Sequence, residues 1–176
     1  MRSLILSLSL ACALCAQKYK VGRAPSAEEE KAWDISIAPA GKELPTGQGT
    51  AAEGKELFAR RCQRCHGEAG KGGDEGALVG GQGTLASAKP LKTVGSYWPY
   101  ATTLFDYVRR AMPLKEPGTL SPDQVYAVSA YILQLNGIIG EGETMNAQTL
   151  PKVKMPNRDN FIPDPRPDTG KKAGKR

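Results

Sequence analysis

The stretch RRCQRCHGEAG, residues 60–70, contains Cys62, Cys65 and His66, and His66 is the only histidine among the 176 residues. Two cysteines about one turn apart at a helix end can both reach the vinyl groups on one edge of a porphyrin. A histidine directly after the second cysteine can then bind the iron from below. The pattern predicts one covalent haem c, with thioether bonds at Cys62 and Cys65 and His66 as an axial iron ligand.

Two other uses of paired cysteines were weighed against haem attachment. A zinc site needs four ligands, and no second Cys/His pair follows residue 66, so carboxylates would have to complete it. A redox-active C-x-x-C usually sits in a βαβ unit, and no such pattern is visible. A haem-free C-x-x-C module remains a third hypothesis beside an electron carrier and a haem enzyme.

The first sixteen residues, MRSLILSLSLACALCA, have the features of a secretory signal peptide: Arg2, a short apolar run and then small residues. The run is too short to span a bilayer unless it is kept as an anchor. Cys12 and Cys15 fall inside this segment and are interpreted as incidental. We therefore expect a periplasmic protein without a membrane span after cleavage. The chain has 24 Lys+Arg against 18 Asp+Glu, and we expect no nucleic-acid partner.

The predicted organisation is an extended N-terminal arm at 17–49, a cytochrome domain at 50–140 and an extended, proline-rich basic tail at 141–176. Trp33, Ile35 and Ile37 are the arm residues expected to pack on the protein, and Lys171, Lys172, Lys175 and Arg176 end the tail. That basic end could steer an acidic partner, although a solubilising end is the commoner reason for such charges.

Three helices are predicted, with no convincing strand, so the fold class is all-α. Thr50 and Glu53 have capping-box spacing before the first helix. The second follows from apolar residues between 102 and 111, and Ser121–Pro122 marks the start of the third. Residues 67–95 are rich in glycine, and a loop of this length favours wrapping around a bound group.

The lone histidine excludes bis-histidine ligation within the chain. Of the methionines beyond the signal segment, Met112 is favoured as the second axial ligand because it lies between two helix signals and precedes Pro113. Met145 and Met155 remain alternatives, as do core packing of Met112 and an open iron site. A His/Met pair favours reversible one-electron transfer, and an open site would favour a haem enzyme or sensor.

Further residues just before and within the second helix could contact the haem. Tyr97, Trp98 and Tyr100 could form its walls or bond a propionate, and ordinary packing is about as plausible for each. Arg109 and Arg110 could pair with propionates, although charged side chains on helices are more often solvated.

Three blocks, KTVGSYWPYATTLFDYVRRAMP, LSPDQVYAVSAYILQLNGII and LPKVKMPNRDNF, resemble the haem-domain sequence of the cytochrome subunit of sulfane/sulfite dehydrogenase, a component of the periplasmic sulfur-oxidation (Sox) system. The likeness extends over nearly all of the chain after the signal segment. It implies a class I cytochrome c fold, haem attachment through Cys62, Cys65 and His66, and Met112 as distal ligand. It also implies a molybdopterin-type dehydrogenase as electron donor and a downstream cytochrome or oxidase as acceptor.

The chain departs from that family in one respect. The family's cytochrome subunits can carry two haem domains, whereas this sequence contains one C-x-x-C-H. Service to another periplasmic dehydrogenase is therefore the alternative interpretation.

Overall fold

The computed structural model describes residues 22–163. The predicted signal peptide and the basic end of the tail lie outside the described residues. The described chain divides into two units, with the boundary between Ile35 and Ser36.

The described part of the first unit contains helix α1, Ala27–Trp33. Ser26 and Glu29 form a reciprocal capping box, and Arg23 pairs with Glu29. The guanidinium of Arg23, with the backbone N–H of Ser26, lowers the pKa of Glu29 to about 2. The prediction of an extended arm is wrong here, because caps and acidic first-turn residues stabilise a helix without burial. Trp33, expected to pack, is 87% exposed.

The second unit contains three main helices, as predicted, and this confirms the all-α class. Thr50 caps the first through the predicted box with Glu53, and Ser121 caps the last with Pro122 in the first turn. A short helix carries the second cysteine and the histidine. The helices are α2 (Ala51–Arg61), α3 (Gln63–His66), α4 (Ala101–Ala111) and α5 (Pro122–Leu135).

The core of this unit is built on the crossing of α2 and α5. Gly54 faces Ala127 so closely that an added methyl at Gly54 would lie 1.9 Å from the Ala127 carbonyl oxygen. One turn further on, the rings of Phe58 and Tyr131 meet edge to face with centroids 5.4 Å apart. A glycine in mid-helix is therefore explained by close approach of two backbones.

A short antiparallel ladder joins β1 (Gln48–Thr50) to β2 (Thr144–Asn146), with Gly49 opposite Met145. The prediction of no strand is wrong at this point. Strands of three residues are too short to show an alternating apolar pattern in the sequence. The ladder fastens the chain that enters α2 to the chain that follows α5.

Parts of the predicted arm and tail belong to the core. Ile37 and Leu44 are buried before β1, and four residues beyond the expected boundary at 140 are buried as well: Met145, Leu150, Val153 and Met155. No helix within residues 22–163 has both the length and the apolar character needed to cross a membrane.

Candidate haem site

The C-x-x-C-H motif forms a single tight turn that begins at the end of α2 and includes all of α3. Cys62 is the C-cap residue of α2. Its carbonyl oxygen accepts hydrogen bonds from the N–H groups of Cys65 (3.1 Å) and His66 (3.0 Å). Both cysteines are free thiols, with Cys62 half-buried and Cys65 exposed. The structure thus brings the two predicted attachment residues onto one turn of backbone, next to the histidine.

The glycine-rich loop holds this turn from the other side. The N–H of Gly72 donates to the His66 carbonyl (3.2 Å), and the N–H of Glu75 donates to the Cys65 carbonyl (3.1 Å). Gly67 has φ +75°, and an added Cβ there would lie 1.5 Å from the Gly72 oxygen. No residue larger than glycine fits this backbone-to-backbone approach, so the loop and the haem motif are built as one unit.

The Cys62 thiol has the protonation behaviour of a buried group. Burial raises its pKa to about 11, and the Arg61 charge only partly offsets this. A cysteine in a redox-active C-x-x-C has a lowered pKa, because its thiolate is the nucleophile. The raised pKa of Cys62 thus differs from that of the nucleophilic cysteine in a redox-active pair.

The His66 imidazole is half-buried, and its buried Nδ1 has no hydrogen-bond partner in the described structure. A buried polar atom without a partner costs free energy, so its retention needs a reason. An imidazole beside two unpaired thiols is the donor set that covalent haem attachment requires. The residues present therefore fit a haem. A second such atom, Ser129 Oγ, lies within α5 and belongs to the core.

Met112 ends α4 as its C-cap, in extended backbone conformation. Its side chain is half-buried at the edge of the core. The two alternative ligands lie inside the core, where Met145 is 1% exposed and Met155 is 3% exposed. Met112 is therefore the least buried of these three methionines.

The remaining sequence candidates have protein partners. Arg110 forms a two-pronged ion pair with Asp106, one turn earlier, so a role with propionates would require breaking that pair. The three aromatic residues are half-buried and each contacts another side chain: Tyr97 with Phe161, Trp98 with Tyr107, and Tyr100 with Arg158.

Sequence reasoning missed Asn136, which follows α5 directly. Its Oδ1 accepts from the N–H of Gly80 (3.0 Å), and its Nδ2 donates to the carbonyl of Leu78 (3.3 Å). Gln82 in turn donates to the Asn136 carbonyl. Asn136 thereby fastens the middle of the glycine-rich loop to the end of α5. An asparagine just before Gly137 was the available signal, but it is equally typical of a helix end.

Comparison with known proteins places this architecture in a family. A family model for cytochrome c matches residues 51–136. Photosystem II extrinsic protein V of Microcystis aeruginosa is 30% identical over 118 residues, which are 60% of this chain and 87% of that protein. The chain belongs to the cytochrome c family. Membership implies covalently bound haem c and a role in electron transfer.

Two further similarities come from sulfur-oxidising enzymes. A chain in the crystal structure of the sulfane dehydrogenase SoxCD from Paracoccus pantotrophus matches with a TM-score of 0.77 and 41% identity, covering 88% of this chain and 76% of that one. This match confirms the class I cytochrome c fold and the resemblance drawn from the sequence. Thiosulfate dehydrogenase of Stutzerimonas stutzeri (strain A1501) is 29% identical over 112 residues, 57% of this chain. The chain spans about a third of that relative's length.

Proposed function

We propose that this protein is a periplasmic mono-haem cytochrome c with haem bonded to Cys62 and Cys65 and with His66 and Met112 as axial ligands. The observation that carries the proposal is the half-buried His66 imidazole, whose buried Nδ1 has no hydrogen-bond partner in the described structure, beside two free thiols on one turn. When bound, the haem supplies reversible one-electron chemistry.

Each residue has a distinct part in this proposal. Cys62 at the end of α2 and Cys65 in α3 anchor the haem, so these two helices determine where it lies. The hydrogen bond from the Gly72 N–H to the His66 carbonyl holds the backbone that carries the imidazole. The soft Met112 thioether favours ferrous over ferric iron and blocks access of small molecules. Together they favour an electron carrier over an open-site enzyme or sensor.

For the electron donor, we propose a molybdopterin-type sulfane or sulfite dehydrogenase, with a downstream cytochrome or oxidase as acceptor. The support is the 41% identity with a chain of SoxCD over most of both chains. A thiosulfate-oxidising donor is the second candidate, supported by the similarity to a thiosulfate dehydrogenase. The predicted signal peptide at 1–16 would place the cytochrome in the compartment of these enzymes.

The ligand assignment is tested with three isosteric variants, Met112→Leu, Met145→Leu and Met155→Leu. We expect the far-red absorption band of methionine-bound ferric haem in the wild type and in the last two variants. Only Met112→Leu should lose it and bind carbon monoxide rapidly when reduced. A wild-type protein without the band that binds carbon monoxide at once would establish the open-site hypothesis instead. Loss of the band in another variant would move the ligand to that residue.

Haem content and donor are tested on the exported protein. Its intact mass should exceed that of the processed chain by one haem, and a mass equal to the chain alone would leave only the haem-free module. Stopped-flow reduction of the ferric protein should be fast with a molybdopterin sulfane or sulfite dehydrogenase and its substrate. Reduction only by a thiosulfate-oxidising enzyme would select the second candidate donor.

A further inference from the structure

A polar contact links the haem-attachment turn to the segment that follows the proposed distal ligand. Arg61 is the last residue of α2 and directly precedes Cys62. Its guanidinium Nη2 donates to Glu116 Oε2 at 2.6 Å and to Thr119 Oγ1 at 3.2 Å. Thr119 Oγ1 also donates to the Glu116 carbonyl at 2.8 Å. We call these three residues the Arg61 clasp.

The clasp holds a segment with little other support. Between the end of α4 and the Ser121 cap of α5, residues 114–119 are all exposed, and Leu114 is 67% exposed. A turn hydrogen bond from the Glu116 N–H to the Pro113 carbonyl shapes its first half. A loop with so few buried contacts opens locally at low free-energy cost. A cross-link 55 residues apart in sequence restricts that opening.

We propose that the Arg61 clasp positions Met112, by holding residues 113–119 against the end of α2 so that the thioether remains over the haem. The inference rests on the proposed function, since it takes Met112 as the distal ligand. Arg61, Glu116 and Thr119 act through the loop, and are therefore positioning residues. Arg61 also directly precedes Cys62, so one side chain connects the haem-attachment turn with the segment that follows Met112.

The size of the effect follows from the exposure of the pair. The side chains of Arg61 and Glu116 are 37% and 60% exposed. Exposed ion pairs contribute modestly, so breaking this one should raise the population with Met112 off the iron by about two- to fivefold. Imidazole binds ferric haem only in that population. Its apparent Kd should therefore fall by the same factor, about two- to fivefold.

The test is imidazole titration of ferric holoprotein carrying Arg61→Gln, Glu116→Gln or both. Each single variant should bind imidazole about two- to fivefold more tightly than wild type, and the double variant no more tightly than the stronger single one. Added salt should tighten binding to the wild type but not to the double variant, because salt screens the exposed pair. Arg60→Gln is the matched control. It removes the same charge one residue earlier, where Arg60 pairs with Glu56 of its own helix at 3.7 Å.

The proposal is overturned if Arg61→Gln changes the imidazole Kd no more than Arg60→Gln, or if the two single effects simply add in the double variant. Its failure can be told apart from failure of the ligand assignment. A far-red band present in the wild type and lost in Met112→Leu upholds Met112 whatever the clasp variants do. A band that survives Met112→Leu removes the ligand and the clasp proposal together.

Discussion

Gly54→Ala should weaken the crossing of α2 and α5 that forms the centre of the core. The new methyl carbon would lie 1.9 Å from the carbonyl oxygen of Ala127, 2.5 Å from its carbonyl carbon and 2.8 Å from Cβ of Tyr131. Real Cβ atoms practically never approach another atom closer than 3.0 Å, so the helices must separate by about 1.1 Å at this point. None of the three atoms is the end of a flexible side chain.

The expected change in the free energy of unfolding is the balance between lost packing at the helix crossing and a gain in helix propensity. A gap of about 1 Å removes up to half of the dispersion energy across the contact. Overpacking against a rigid neighbour costs about 1–3 kcal/mol, and the Phe58–Tyr131 ring pair loses a further ~1 kcal/mol. Alanine in a helix interior regains about 1 kcal/mol relative to glycine. We expect a net loss of about 1–3 kcal/mol in the free energy of unfolding.

The assay is guanidinium unfolding of the holoprotein followed by far-ultraviolet circular dichroism. Gly140→Ala is the matched control, because its added methyl meets only Glu143 Oε1 at 3.4 Å, and it should change stability by less than about 0.5 kcal/mol. The double variant Gly54→Ala/Ala127→Gly should show no rescue, since the collision is with the backbone of residue 127. Wild-type stability in Gly54→Ala, or recovery in the double variant, would refute the reasoning.

Substitutions at three further positions test buried polar groups by the same assay. Burial raises the pKa of Tyr126 to about 12, so wild-type stability should fall as pH rises from about 10 to 12, because the unfolded chain ionises first. Tyr126→Phe removes the hydrogen bond from the Tyr126 hydroxyl to the Pro45 carbonyl, so it should lower the free energy of unfolding by about 1 kcal/mol at pH 7. The variant should also lack the loss of stability between about pH 10 and 12, and the same loss in variant and wild type would contradict this. Ser129→Ala should gain about 1 kcal/mol by removing a buried unpaired hydroxyl, and a loss would contradict that. The N–H of Ile37 donates to Asp106 Oδ1, and Asp106→Ala leaves this N–H without its acceptor. Asp106→Ala should therefore lower the free energy of unfolding by about 1 kcal/mol more than Asp106→Asn, and equal losses would count against a role for this hydrogen bond.

The helices were predictable because their signals are local. Thr50 with Glu53, and Ser121 with Pro122, mark helix starts within four residues of sequence, and the structure has both caps. The haem motif is equally local, since five consecutive residues carry the attachment chemistry. What lay beyond prediction is non-local. The ladder of β1 and β2 joins residues almost a hundred positions apart, and neither strand is long enough to carry a periodic pattern.

Sequence reasoning failed in a different way for α1. Ser26 and Glu29 form a capping box like those of the longer helices, but the mixture of charges and glycines around them suggested an extended chain. The helix forms although none of its residues is buried. Apolar periodicity is a signal of packing, so a short helix held by its own caps gives none. Trp33 was expected to pack because the segment was interpreted as an extended arm lying on the protein.

The support of the haem site is divided between backbone and side chains. The carbonyl groups of Cys62, Cys65 and His66 all accept hydrogen bonds from within residues 62–75, so the turn is shaped by the protein's own backbone. The side chains of the turn contribute two free thiols and one buried imidazole nitrogen that has no hydrogen-bond partner in the described structure. In the proposed function the haem bonds to these side chains, whereas backbone hydrogen bonds and the close approach of Gly67 to Gly72 shape the turn itself.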